Sequence, residues 1–263
     1  MKQNPVKPLD VKLMNLATTA LLLGLVLMSS GALAAWVARH PVFAISGVAV
    51  YGDTAHNNAL TLRAQVAPYL GGTFLSVDLA ATRQAFEQVP WVRRAEVRRE
   101  FPNRLKVILQ EHQAVAYWGE EGDSMLVNSF GEVFEANLGE VEQEALPRLS
   151  GPKEQSAQVL ALYRAVQPLF ESQHMAIEHM ELTGRGNWRA RLASGAQIEL
   201  GRGTEEELLA RTRQFTGTMT EVTSRYGRTA SALESADLRH EQGYAIRLAG
   251  VSTLPPAEPT LKK

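Results

Sequence analysis

Residues 13–38, LMNLATTALLLGLVLMSSGALAAWVA, carry no charge over 26 positions. No other stretch limits the possible folds as strongly. A helix of roughly 20 apolar residues crosses the ~30 Å hydrocarbon layer of a bilayer, and residues 14–37 make the best such window. Trp36, near the far end, suits the membrane–water interface. Lys2, Lys7 and Lys12 precede the stretch against Asp10, and such a positive flank stays in the cytoplasm. Three readings are open: a retained anchor, a cleaved signal, or a buried core helix. The signal reading has residues 16–28 as its apolar core and Ala-Leu-Ala at 32–34 as a cleavage site. Either of the first two sends the chain from about residue 39 outside the cytoplasm, away from chromosomal DNA and ATP.

The 263 residues leave room for one or two domains beyond that segment, and 45% hydrophobic content is enough for packed cores. A formal net charge of −1 excludes the global basic field of a nucleic-acid binder. Cysteine is absent, which excludes disulfides, thiolate catalysis and cysteine-held metals.

Residues 40–52, HPVFAISGVAVYG, read as a strand stopped by Gly52-Asp53. A helix follows over residues 57–72, capped by Asn57 or Asn58, with Leu60, Ala64 and Val66 or Ala67 at helical spacing. A second helix has Ser76 or Asp78 as cap, Leu79, Thr82 and Phe86 on one side, and Pro90 as its close. Then comes WVRRAEVRREFPNRLKVILQEH, with six basic residues in 22. Ala95, Val97, Arg99 and Phe101 alternate with Arg94, Glu96, Arg98 and Glu100. Leu105, Val107 and Leu109 alternate with Lys106, Ile108 and Gln110. Period two on both arms of a Pro-Asn turn predicts a hairpin with one buried face and a basic wet face holding cross-strand ion pairs. A protein-contact role for Arg94 and Arg98 is the second reading of that face.

After Gln113 the pattern shifts to short strands, 114–119 and 126–136, around a Ser-Phe-Gly turn. Residues 146–152 read as a Pro/Gly loop. Residues 153–170 are amphipathic, with Val159, Leu162 or Tyr163, Val166 and Leu169 or Phe170 aligned. Residues 177–201 suggest a meander. Thr204 and Glu207 form a capping box before a helix lined by Leu208, Thr212, Phe215, Met219, Val222 and Tyr226. Two strand-like arms flank residues 241–243, and the tail from 251 is expected to be disordered.

Catalytic signatures are absent: no Gly-x-Ser-x-Gly, no P-loop, no Cys. His174 and His179, with Glu178 and Glu181, offer a weak metal candidate, although a spacing of five does not put two ligands on one helical face. The three glutamates after GRGT repel an anion at that helix start.

The order β-α-α-β-β over residues 40–112 resembles a POTRA (polypeptide-transport-associated) module, its most specific part being the closing Pro-Trp-Val hairpin. Placed after an anchor and before a β-rich region with LGRG and DLRHEQGYAIRL, it resembles the FtsQ/DivIB family over roughly residues 10–250. The resemblance implies an α+β protein: a cytoplasmic tail (1–13), a retained single transmembrane helix (14–37), a POTRA domain (40–112), a β domain with an antiparallel sheet and flanking helices (113–250), and a tail (251–263). It implies a bitopic inner-membrane protein of the divisome, enriched at the septum, that binds the coiled-coil proteins FtsB and FtsL and helps to localise and regulate septal peptidoglycan synthesis. No enzymatic activity and no cofactor are implied. Carried onto this sequence, the partner surface is Arg202 with the strand His240–Leu248, including Glu241, Gln242, Gly243, Tyr244 and Ile246. The family often has Tyr where His240 stands and an aromatic where Leu248 stands, and this chain departs at both. The competing class is a POTRA protein of outer-membrane assembly or secretion.

Overall fold

The computed structural model describes residues 9–141, 146–240 and 243–251. Helix α1 (Leu9–Ala38) is 30 residues long, about 45 Å at 1.5 Å per residue. Its apolar side chains are exposed all round, Leu21 at 75% and Met28 at 76%. Among the described residues nothing buries these side chains, and the helix is long and apolar enough to cross a membrane. The chain then divides into two compact units, one ending at Glu111 and one beginning at His112.

In the first unit, β1 (Gly47–Gly52), α2 (Ala59–Val66), α3 (Leu79–Glu87), β2 (Val92–Glu100) and β3 (Arg104–Glu111) follow α1. The sheet order is β1-β3-β2, with β1 parallel to β3 and β2 antiparallel to it. β1 starts at residue 47, not 40. Pro41, with its fixed φ and no N–H to give, opens a short 3-10 turn at Pro41–Phe43 instead. Asn58 caps α2 by accepting from Thr61 N, and Asp78 caps α3 by accepting from Ala80 N and Ala81 N. The buried side of α2 is Leu62 and Val66, while Leu60 is 81% exposed. Those two join Phe86, Val89, Val92, Val107 and Leu109 in the core, each large side chain contributing about 1.5–3 kcal/mol by burial. Trp91 is buried and stacks on His56, ring centroids 3.8 Å apart.

Two details close this unit. Gly52 has φ +96°, and a Cβ there would lie 2.1 Å from Leu109 O, so β1 ends against β3 only with glycine. Burial pushes the Glu111 carboxyl up, but hydrogen bonds from His56 N–H and Asn57 Nδ2, at 3.1 and 2.8 Å, outweigh it and hold the pKa below its usual value. On the hairpin, Ala95, Leu105, Val107 and Leu109 face inward as expected. Phe101 does not: it lies past the end of β2 and is 87% exposed. Arg99 is exposed too, yet its Nε and Nη2 donate to Phe74 O and Val77 O at 2.7 and 2.9 Å, pinning the loop before α3. The ion pair described on the wet face, Arg98 with Glu96, runs along β2 rather than across the hairpin.

The second unit holds β4 (Ala114–Trp118), β5 (Met125–Asn128), β6 (Val133–Glu135), β7 (Arg148–Ser150), α4 (Ser156–Glu171), β8 (Ile177–Leu182), β9 (Trp188–Leu192), β10 (Gln197–Gly201), α5 (Glu205–Arg225), β11 (Leu233–Asp237) and β12 (Ala245–Leu248). The nine strands form one sheet, ordered β12-β11-β10-β9-β8-β7-β4-β5-β6. It is mixed rather than antiparallel throughout, because β4·β7, β7·β8 and β10·β11 are parallel pairs. Parallel neighbours need a long crossover. The helices α4 and α5 supply two of them, and the segment read as a loop at 146–152 contains β7. Val159, Leu162, Tyr163, Val166 and Phe170 from α4 meet Leu208, Phe215 and Met219 from α5 over the buried sheet face. The capping box is present: Thr204 Oγ1 accepts from Glu207 N, and Glu207 answers to Thr204 N. Thr216 and Thr223 complete the buried side of α5, while Tyr226 lies past its end and is 51% exposed.

Candidate partner-binding surface

β12 is the outermost strand of the nine-stranded sheet, and among the described residues it pairs only with β11. The strand is shorter than the sequence suggested. It runs over Ala245–Leu248, and His240 sits exposed in the connection, its carbonyl accepting from Gly243 N at 3.5 Å. Glu241 and Gln242 lie outside the described residues. Just past β12, Ala249 N donates at 2.8 Å to the carbonyl of Ala232, in the turn that leads into β11. Since successive N–H groups of a strand alternate in direction, those of Ile246 and Leu248 point to the open side.

Side chains alternate as well. Leu248 is 5% exposed and belongs to the core. Ile246 is partly buried against that core. Tyr244 packs edge-on to Phe215 with centroids 5.1 Å apart, and its hydroxyl meets Thr218 Oγ1 at 2.6 Å. Ala245 and Arg247 are exposed, with Arg247 Nε 3.0 Å from Glu234. Around the Cα of Gly243 a Cβ would meet nothing within 4 Å. Thus Tyr244, Ile246 and Leu248 seat the strand, and its outer edge is backbone.

Arg202 follows β10 at the end of the sheet where β12 begins, because β10 and β11 run parallel and β12 returns antiparallel. Its Nε donates to Asn187 Oδ1 at 3.1 Å, and its two terminal nitrogens have no partner among the described residues. Three residues not singled out from the sequence build this corner. Arg211 Nη1 donates to Leu200 O and Arg202 O, at 3.1 and 2.7 Å. Arg239 grips Asp237 with Nε to Oδ1 at 2.8 Å and Nη2 to Oδ2 at 2.5 Å. That fork holds the Asp237 carboxyl down to a pKa of about 2. The Arg239 stem also crosses Gly201, whose φ is +83° and whose added Cβ would lie 2.7 Å from Arg239 Cγ. The first glycine of LGRG and the Asp-Leu-Arg triplet are therefore two halves of one corner. An acidic residue two before an arginine was the signal available, but i,i+2 pairs are common and nothing local ties them to position 201.

On the first unit, Arg94 and Arg98 lie exposed on β2, an outer strand, opposite Gln110 and Lys106. The candidate metal histidines do not converge. His179 is hydrogen-bonded to Ser150 Oγ at 2.8 Å, and burial, followed by the nearby Arg191 charge, lowers its pKa. His174 sits in a left-handed conformation past α4. Among the described residues no group of three metal-ligating side chains occurs.

Two family models match the chain. "POTRA domain, FtsQ-type" covers residues 43–112, and "Cell division protein FtsQ/DivIB, C-terminal" covers residues 116–239. The chain is similar to cell division protein FtsQ of Burkholderia pseudomallei, 40% identical over 246 residues, spanning 93% of this chain and 96% of that protein. It is similar to FtsQ of Thiomonas arsenitoxydans at 38% over 246 residues, 93% and 89%, and to FtsQ of Bordetella pertussis at 35% over 240 residues, 84% and 85%. With an apolar helix ahead of a POTRA module and a β-rich unit carrying the matched corner, this chain belongs to the FtsQ/DivIB family of membrane-anchored cell division proteins.

Proposed function

We propose that the protein is a divisome scaffold of the inner membrane. It crosses once through α1, keeps its N-terminus in the cytoplasm and presents both folded units outside, at the division septum. There it binds the coiled-coil proteins FtsB and FtsL, and so helps to place and regulate septal peptidoglycan synthesis. It works by binding, with no cofactor and no catalysis of its own. The observation that carries this reading is the outer edge of β12, which no other strand pairs among the described residues. Such an edge accepts an added strand, which supplies backbone hydrogen bonds in register. Arg202, whose two terminal nitrogens have no partner among the described residues, would take a partner carboxylate in a forked contact. His240 and Gly243 would border the added strand, as would Glu241 and Gln242 by their place in the chain. Arg94 and Arg98 form a second, weaker candidate contact for an acidic or extended divisome segment. The scaffold reading is tested by amide hydrogen exchange on the full chain with and without co-expressed FtsB and FtsL. Slowed exchange at Ile246 and Leu248 is expected. Binding with protection elsewhere and none on β12 would move the surface, and no binding at all would remove the proposal.

A further inference from the structure

The end of the first unit nearest α1 is unusually apolar and exposed. The chain leaves α1 at Ala38 and reaches β1 only nine residues later, at Gly47. Eight residues, extended, span at most about 26–29 Å, and the 3-10 turn at Pro41–Phe43 shortens that reach. The hairpin turn between β2 and β3 lies at this same end. Gly47 is in register with Arg104, Ser46 N donates to Asn103 O at 2.9 Å, and Ser46 Oγ donates to Asn103 Oδ1 at 2.7 Å. The loop before α3 is held there as well, through Phe74 N to Phe43 O at 2.7 Å and the bridge between Ala44 and Thr73. Three large apolar side chains emerge from these segments. Phe101 is 87% exposed, Val42 71% and Leu75 46%. Arg39 and Arg104 are exposed beside them and form no ion pair among the described residues.

From this juxtaposition we infer that the Phe101 hairpin tip, with Val42 and Leu75, docks into the outer leaflet of the bilayer that α1 spans, its arginines on anionic headgroups. The inference rests on the reading of α1 as a membrane span. Chain continuity selects the occupant: the end that carries Phe101 is tethered within a few residues of the helix exit, and the surface within reach is lipid. Aromatic side chains favour the headgroup boundary. Guanidinium groups pair with phosphate in a forked geometry, and cations near an anionic leaflet gain electrostatic attraction. The contact would set the height and orientation of this unit on the membrane.

The chain has no cysteine, so single Cys substitutions give unique labelling sites. The full chain is reconstituted in nanodiscs of phosphatidylcholine with phosphatidylglycerol, carrying an environment-sensitive fluorophore at Leu25→Cys, Asp53→Cys, Leu75→Cys or Phe101→Cys. Asp53 follows β1 at the other end of the sheet, roughly 20 Å away at 3.3 Å per residue. Quenching by a lipid-borne nitroxide is expected to be several-fold stronger at 101 and 75 than at 53. Adding Phe101→Asp should return the label at 75 to the level seen at 53. A label at 101 quenched no more than at 53, while the label at 25 is quenched, overturns docking but leaves the anchor. A label at 25 that lipid does not reach overturns the anchor, and docking with it. Protection at 101 from aqueous iodide without quenching by lipid means that protein covers the tip, and also overturns it. Equal quenching in phosphatidylcholine alone overturns the role of the arginines.

Discussion

Proline at position 246 separates the sheet's own bonding from its capacity to accept another strand. The Ile246 N–H points to the open side of β12, while that of Arg247 points to β11, by alternation from Ala249 N. Proline is tolerated on an edge strand where its missing N–H faces outward. Ile246→Pro therefore leaves the β11 ladder intact but deprives an added strand of one donor. The partner's carbonyl is left unsatisfied in a partly dried interface, at a cost of about 1–3 kcal/mol, or roughly 5- to 150-fold in Kd. Arg247→Pro is the mirror case: it removes a ladder bond to β11 and should lower the unfolding midpoint more than Ile246→Pro does. The assay is calorimetric titration of the folded variants with the exported segments of co-expressed FtsB and FtsL, beside thermal melts. If Ile246→Pro binds as the wild type does while remaining folded, strand addition at β12 is refuted.

Other consequences are as direct. The Asp237 carboxylate, held to a pKa of about 2 by Arg239, has a folded pKa depressed below the ordinary ~3.9. Its contribution is present above about pH 4 and is lost as pH falls through about 2, so the Tm gap between wild type and Asp237→Asn should be constant above pH 5 and close between pH 4 and 2. A gap that widens on acidification would show the sign to be wrong. Gly201→Ala forces a left-handed residue against the Arg239 stem and should cost about 1–3 kcal/mol in denaturant unfolding. An unchanged midpoint contradicts the packing described. Arg99→Ala removes the donor to three carbonyls of the loop before α3, those of Phe74, Leu75 and Val77; a loss of about 1–2 kcal/mol, with faster amide exchange in residues 73–77, is expected.

What could be read in advance divides by the range of the interaction responsible. The hairpin at Val92–Glu111 was legible because its period two and its Pro-Asn turn are local. So was the capping box at Thr204 and Glu207, whose two hydrogen bonds span three residues. β7 was not: only three residues long, it shows no alternation, and it exists because β4 and β8 flank it in parallel. Leu60 and Leu62 both fit a helical stripe, and contact with α3 and the sheet, not spacing, buries Leu62. Thr216 and Thr223 are polar yet buried, because their hydroxyls bond back to Thr212 O and Met219 O and so lose the need for water. At the candidate surface, Arg202 and Gly243 stand out in motifs. The inward turn of Tyr244 depends on Thr218, 26 residues away, which no local pattern announces.

The place of β12 in chain order bears on synthesis. Among the described strands it is the last to be made, yet it forms the rim of a sheet whose other strands all precede it. Domains fold as the ribosome delivers them, so this rim cannot assemble until β11 and the α5 crossover have emerged. A chain stopped short of residue 245 would expose β11 as its rim and leave open the core space that Leu248 fills. A partner that reads the rim would thus recruit only molecules whose synthesis has passed Leu248, making translation order a proofreading step for assembly.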